Sequence, residues 1–294
     1  MKKLPFIGSG VALVTPFTEN GVNFDVLEEL LNFQIENETD AVIICGTTGE
    51  PATMSVEEKK DVIKFTVKKV AGRVPVIAGT GSNNTKHVIE MSQYAQNVGA
   101  DGILIVTPYY NKTTQRGLIL HYKTIAYNVD IPIIMYNVPS RTGLNMTAKS
   151  VYELSKIENI VAIKEASGNF TQIAEIANLC EDNLYIYSGN DDQVVPMMAL
   201  GAKGVISVSA NVIPNDVHNM VRNFMNGNIK EAKELQLKAV NLINALFSEV
   251  NPIPVKEAVR QIGFDVGKCR MPLVDMDEGG QLKIAEALHE YYRH

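Results

Sequence analysis

Eight short runs of Val, Ile, Leu and Ala punctuate the first part of the chain: Val11–Val14, Ala41–Cys45, Val74–Ala78, Gly102–Val106, Ile131–Tyr136, Ile160–Ile163, Leu184–Tyr187 and Gly204–Val208. Each is nearly continuous in apolar character. That is the pattern of a strand buried on both faces, which implies a parallel sheet covered by helices. The segments between the runs supply those helices. Asn23–Glu38 carries Phe24, Leu27, Leu30, Leu31 and Phe33 among acids, and Ser55–Val70 repeats Val56, Val62, Ile63 and Val67. Ser55 with Glu58 three residues later is a capping box, in which two side chains satisfy free N–H groups at a helix start. Asn84–Val98 and Thr114–Tyr127 read alike. The runs recur roughly every 28 residues, about what one strand, one helix and two loops occupy in an eightfold barrel.

An open doubly wound sheet also uses parallel strands, but it usually shows a glycine-rich phosphate turn after its first strand. Here that strand leads into Thr15-Pro16-Phe17. The expected fold is therefore α/β, a closed (β/α)8 TIM barrel over residues 1–226, followed by a C-terminal helical domain over 227–294. In the latter, Ile229–Val250 reads as one long helical stretch, with further helices at Val255–Ile262 and Leu282–Tyr292.

Composition narrows the function classes. Hydrophobic residues are 46% of the chain, enough for a substantial core, which excludes disorder as the main state. The net charge is −6 and no run of Lys or Arg stands out, so neither nucleic acid nor an anionic membrane surface is an expected partner. Cys45, Cys180 and Cys269 lie far apart and form no CxxC pair, and the five histidines show no metal spacing. No metal site is expected. The N-terminal apolar run is broken by Pro5, Gly8 and Gly10 and lacks a signal-peptide cleavage pattern, and no stretch approaches the ~20 residues of a membrane helix. A cytoplasmic protein is expected.

In a barrel of this kind, chemistry gathers where strands end. Lys164 follows Ile160–Ile163 and so belongs at the barrel mouth among apolar side chains. Burial there frees its amine as a nucleophile that can form an imine with a ketone. The plainer reading is a lysine paired with Glu165 or another acid, or bound to phosphate. Tyr136 ends the preceding run and can pass protons beside Lys164, or simply fill the rim. Gly46-Thr47-Thr48-Gly49 offers two hydroxyls and backbone N–H groups fit for a carboxylate, or is an ordinary turn. A carboxylate next to a ketone is a 2-oxo acid, which points to pyruvate or a relative. Arg141, in the Pro139–Gly143 loop, can grip a second carboxylate or form a surface ion pair.

Gly46-Thr47-Thr48-Gly49-Glu50, Tyr109-Tyr110-Asn111, Tyr136–Gly143, Ile163–Gly168 and Asn251–Lys256 together resemble the dihydrodipicolinate synthase (4-hydroxy-tetrahydrodipicolinate synthase) family of pyruvate-dependent class I aldolases. The resemblance covers essentially the whole chain, and its most discriminating part is the loop with Arg141. It implies condensation of pyruvate with L-aspartate-4-semialdehyde through a lysine Schiff base, the first committed step of diaminopimelate and lysine biosynthesis, with no cofactor. Carried over, Lys164 forms the imine, and Thr47, Tyr136 and Tyr110 are the proton relay, Tyr110 coming from a neighbouring subunit. Thr48 holds the pyruvate carboxylate and Arg141 that of the semialdehyde, while Gly189 and Ile206 line the pocket through their backbones. A homotetramer built from tight dimers is implied.

The resemblance also implies a departure. Family members inhibited by lysine carry a glutamate at the position of His87, histidines at those of Val56 and Lys59, and a serine at that of Pro51. Here the carboxylate is missing and a cation is added, so lysine inhibition is not expected. Other imine-forming lyases, such as N-acetylneuraminate lyase or sugar-acid aldolases, usually carry Gly-Ser-Thr-Gly and lack the Arg141 loop. A non-catalytic binding protein on the same barrel is disfavoured, because Lys164, both tyrosines and the threonine pair are all present.

Overall fold

In the computed structural model, which describes residues 2–293, the eight apolar runs become eight parallel strands. They are β1 (Gly8–Ala12), β2 (Ala41–Ile44), β3 (Val76–Gly79), β4 (Gly102–Val106), β5 (Ile133–Asn137), β6 (Ile160–Glu165), β7 (Tyr185–Ser188) and β8 (Gly204–Ser207). They pair in chain order, and β1 closes the ring against β8 and β2. Continuous apolar character has its physical reason here. One face of each strand fills the barrel interior with side chains such as Ala12, Ile43, Leu104, Ile134 and Ile206, and the other packs under the helices.

The helices around the barrel are α1 (Phe24–Glu36), α2 (Val56–Val70), α3 (Thr85–Asn97), α4 (Gln115–Ala126), α5 (Ala148–Ser155), α6 (Phe170–Cys180), α7 (Val194–Ala199) and α8 (Pro214–Met225). Each start expected for the first four is the capping residue. The Asn23, Ser55, Asn84 and Thr114 side chains accept N–H groups of the first turn, and Glu58 closes the box at Ser55. Such caps are worth about 1 kcal/mol each.

Several boundaries differ from the sequence reading. Strand β1 begins at Gly8 rather than Val11, because Gly8, Ser9 and Gly10 pair with Gly204, Val205 and Ile206. The glycines hide the strand from an apolar count, yet a Cβ on Gly10 would lie 2.6 Å from Ile43 Cδ1 and 2.8 Å from the Phe6 ring, so a larger residue there would have to displace both side chains. Strand β6 runs on through Lys164 and Glu165. The stretch read as one helix over Ile229–Val250 is two, α9 (Ile229–Lys238) and α10 (Val240–Leu246). No Gly or Pro marks that break. The chain turns at Ala239 because α9 packs on α8 whereas α10 packs on the last helix. That last helix, α12 (Glu278–Arg293), starts four residues before the expected Leu282, and α11 (Ile253–Gln261) precedes it. Among the described residues no helix is long and apolar enough to cross a membrane.

Candidate active site

Strands β5 and β6 are in register as Tyr136 beside Lys164 and Asn137 beside Glu165. Side chains alternate along a strand, so these two pairs face opposite ways. Tyr136 belongs to the barrel interior, and Lys164 Nζ lies 4.5 Å from its ring centroid. Glu165 is on the other face, where its carboxylate accepts N–H from Asn137 at 3.0 and 3.2 Å and from the Ser167 backbone at 2.7 Å. The pairing of Lys164 with Glu165 that the sequence left open is therefore absent. Among the described residues Lys164 has no ion-pair partner.

The consequence is electrostatic. Lys164 is 5% exposed, and burial penalises the ammonium. Burial lowers its pKa to about 8; the Asp191 carboxylate opposes that fall and the Arg141 guanidinium adds to it. Burial pushes the Tyr136 phenol up to about 12, held from rising further by Arg141 and the Thr47 hydroxyl. Near neutral pH the phenol carries its proton, and a meaningful fraction of the lysine does not.

The turn after β2 is a short 3-10 helix, Thr47–Gly49, ending in a left-handed Glu50 at φ 56°. Within it Gly49 N–H donates to Gly46 O and Glu50 N–H to Thr47 O, and Thr15 Oγ1 donates to Gly49 O at 2.8 Å. Among the described residues the N–H groups of Thr47 and Thr48 have no protein acceptor. Arg141 sits on a single helical turn, Pro139–Thr142, rather than in an irregular loop. Its Nη2 donates to the Asn251 carbonyl at 3.1 Å.

Lys164, Tyr136, Thr47, Thr48, Arg141 and Gly189 line one cavity of about 200 Å3. A Cβ on Gly189 would lie 3.2 Å from Lys164 Cε, so the lysine stem runs directly over that glycine. Ile206 is buried in the barrel interior with Tyr136. Tyr110 stands apart: it is 91% exposed on a left-handed backbone (φ 68°) and does not line the cavity. A second cavity of about 490 Å3 shares Tyr136, Arg141 and Asn251 with the first, and Pro51, Lys59, His87 and Tyr109 line it farther out. Val56 is not among its lining residues.

Three residues that sequence reasoning gave no role prove to belong here. Asn251 Nδ2 donates to Thr48 Oγ1 at 3.0 Å. Lys256, fully buried, donates to Glu50 Oε1 at 2.9 Å, and Arg270 N–H donates to Glu50 Oε2 at 2.9 Å. Asp191, also buried, accepts N–H from Val208 and Ser209 at the end of β8. Asp191 did carry a signal, as a polar residue just beyond a strand. Asn251 and Lys256 lie more than 200 positions from their partners, and no local pattern joins them.

A model of the Dihydrodipicolinate synthetase family matches residues 5–291. The 4-hydroxy-tetrahydrodipicolinate synthase of Acetivibrio thermocellus is 58% identical over 291 residues, 99% of each chain. The crystal structure of dihydrodipicolinate synthase from Aquifex aeolicus superposes with a TM-score of 0.96 at 46% identity, over 98% of each chain. The lysine-bound enzyme from Cyanidioschyzon merolae superposes with a TM-score of 0.95 at 39% identity, over 99% of each chain.

Proposed function

The chain belongs to the dihydrodipicolinate synthetase family, and from that premise we propose that it joins pyruvate to L-aspartate-4-semialdehyde through an imine on Lys164, giving 4-hydroxy-tetrahydrodipicolinate on the route to diaminopimelate and lysine. It is a lyase of that family. The observation that carries the site assignment is a buried Lys164, without an ion-pair partner among the described residues, over the Tyr136 ring and facing the same cavity as the Thr47–Thr48 turn and Arg141.

The chemistry follows from the surroundings. The neutral Lys164 amine attacks the pyruvate ketone, and the resulting carbinolamine loses water to an iminium. Tyr136, protonated at neutral pH, delivers a proton to the departing oxygen, with Thr47 and Tyr110 of the partner subunit completing the relay. Loss of a methyl proton gives the enamine, whose carbon attacks the aldehyde; the imine so restored is then attacked by the semialdehyde's own amine, which closes the ring as the C–N bond to Lys164 breaks and frees the lysine. Thr48 and the free N–H groups of its turn hold the pyruvate carboxylate, a nest of donors suited to an anion. Arg141 holds the carboxylate of the semialdehyde. Gly189 and Ile206 present backbone to the imine. The exposure of Tyr110 supports a tight dimer in which that residue is covered, two such dimers forming a tetramer that works in the cytoplasm. No cofactor enters this scheme.

Lysine is not an effective inhibitor in this reading. An ammonium ligand needs an acceptor, preferably charged. The outer cavity presents the Lys59 cation and, beside it, His87, whose imidazole is pushed toward its neutral form by burial and by Lys59. Its one carboxylate among the described residues, Glu50, has both oxygens already engaged.

A coupled assay tests the assignment. The pure protein is expected to consume pyruvate only with aspartate semialdehyde and to leave 2-keto-3-deoxy sugar acids intact. Cleavage of a sugar acid with no use of the semialdehyde would overturn it.

A further inference from the structure

Thr48 and Arg141 face the cavity from two different turns, those after β2 and β5, and both are held by one residue of the C-terminal helical region. Asn251 is 5% exposed and lines the same cavity. Its side-chain Nδ2 donates to Thr48 Oγ1 at 3.0 Å, and its backbone carbonyl accepts from Arg141 Nη2 at 3.1 Å. The direction of the first bond matters. A hydroxyl has one proton to give and two lone pairs. An amide N–H occupying one lone pair turns the Thr48 proton away from Asn251 and toward the cavity, where it can be given to an anion.

We infer that Asn251 is a positioning residue for the keto acid: its amide orients the Thr48 hydroxyl as a donor to the pyruvate carboxylate, while its main chain separately steadies Arg141. The helical region is thus a working part of the substrate site as well as a covering for the barrel. This rests on the reading above that Thr48 holds the carboxylate. Because the two ties use different parts of Asn251, a side-chain substitution touches one and spares the other. Asn251→Ala removes the amide that orients Thr48 and keeps the carbonyl that steadies Arg141.

The experiment is a double-mutant cycle on the pyruvate half-saturation of borohydride trapping, in Asn251→Ala, Thr48→Val and the double variant. Thr48→Val is expected to raise it roughly ten- to hundredfold, the worth of a hydrogen bond to a charged group. Asn251→Ala is expected to raise it severalfold to about tenfold, and to have no further effect once Thr48 is Val. The half-saturation for aspartate semialdehyde in Asn251→Ala should move by less than about twofold. General damage to the fold would persist in the Thr48→Val background, so multiplied effects in the double variant would overturn the inference. Tighter or unchanged pyruvate binding in Asn251→Ala would also overturn it, since Thr48 would then donate to Asn251. If Thr48→Val itself leaves pyruvate binding unchanged, the carboxylate assignment falls and this inference falls with it.

Discussion

Lys164 and Lys256 occupy two buried regions of the molecule, the barrel interior and the seam between the barrel and the C-terminal helices, and their surroundings are opposite. Lys256 is 0% exposed, donates to Glu50 Oε1 and to Lys268 O at 2.9 Å each, and lies 4.7 Å from the Phe17 ring centroid. Lys164 is 5% exposed and faces a tyrosine ring, with no carboxylate bonded to it among the described residues. Both are removed from water, so burial alone does not distinguish them. The difference is the partner. A buried ammonium with a carboxylate and a carbonyl on it is compensated and fixed, whereas one without them is under pressure to give up its proton. That pressure is what imine chemistry needs.

The largest effect that would break this comparison is on rate. Lys164→Ala should abolish imine trapping and lower turnover about a thousandfold or more, as loss of a covalent nucleophile does. Near-normal turnover would sink the contrast. Lys256→Met should act on stability instead. It removes the ammonium bonded to the buried Glu50 carboxylate, a loss of about 3–5 kcal/mol that denaturant unfolding will read. Adding Glu50→Gln should recover part of it, since the stranded charge is then gone. A loss well under about 1 kcal/mol would mean the seam does not depend on the pair.

A smaller effect sharpens the electrostatic side. The Lys164 amine, lowered to about 8, must be neutral to attack. The trapping rate at low pyruvate should therefore climb about tenfold per pH unit on the acid side and level off above roughly pH 8. Arg141 is a cation that disfavours the ammonium, so Arg141→Ala should move this midpoint upward. A midpoint that stays or falls would show that Arg141 does not act on Lys164 through charge. The smallest expected effect concerns lysine. At ~1 mM, a typical small-ligand range, lysine should leave more than half the activity. Stronger inhibition would show that the outer cavity takes an ammonium despite Lys59 and His87.

Most of the frame was legible in the chain. Strand burial on both faces writes continuous apolar runs, and the caps at Asn23, Ser55, Asn84 and Thr114 were readable because capping is chemistry among neighbours in sequence. Lys164, Tyr136, Thr47, Thr48 and Arg141 were readable as polar residues at the ends of apolar runs or in the loops that follow them, and the fold brings them to one cavity. What escaped depends on distant parts of the chain. The turn at Ala239 has no local breaker and reflects two packing partners for one stretch of helix. The ties from Asn251 to Thr48 and from Lys256 to Glu50 join positions that only closure of the fold makes neighbours.

Borohydride reduction in the presence of pyruvate, followed by peptide mass mapping, tests the central claim most directly. The account predicts one stable adduct per chain, on the peptide that carries Lys164, with Lys256 unmodified. An adduct on any other lysine, or none at saturating pyruvate, would contradict it.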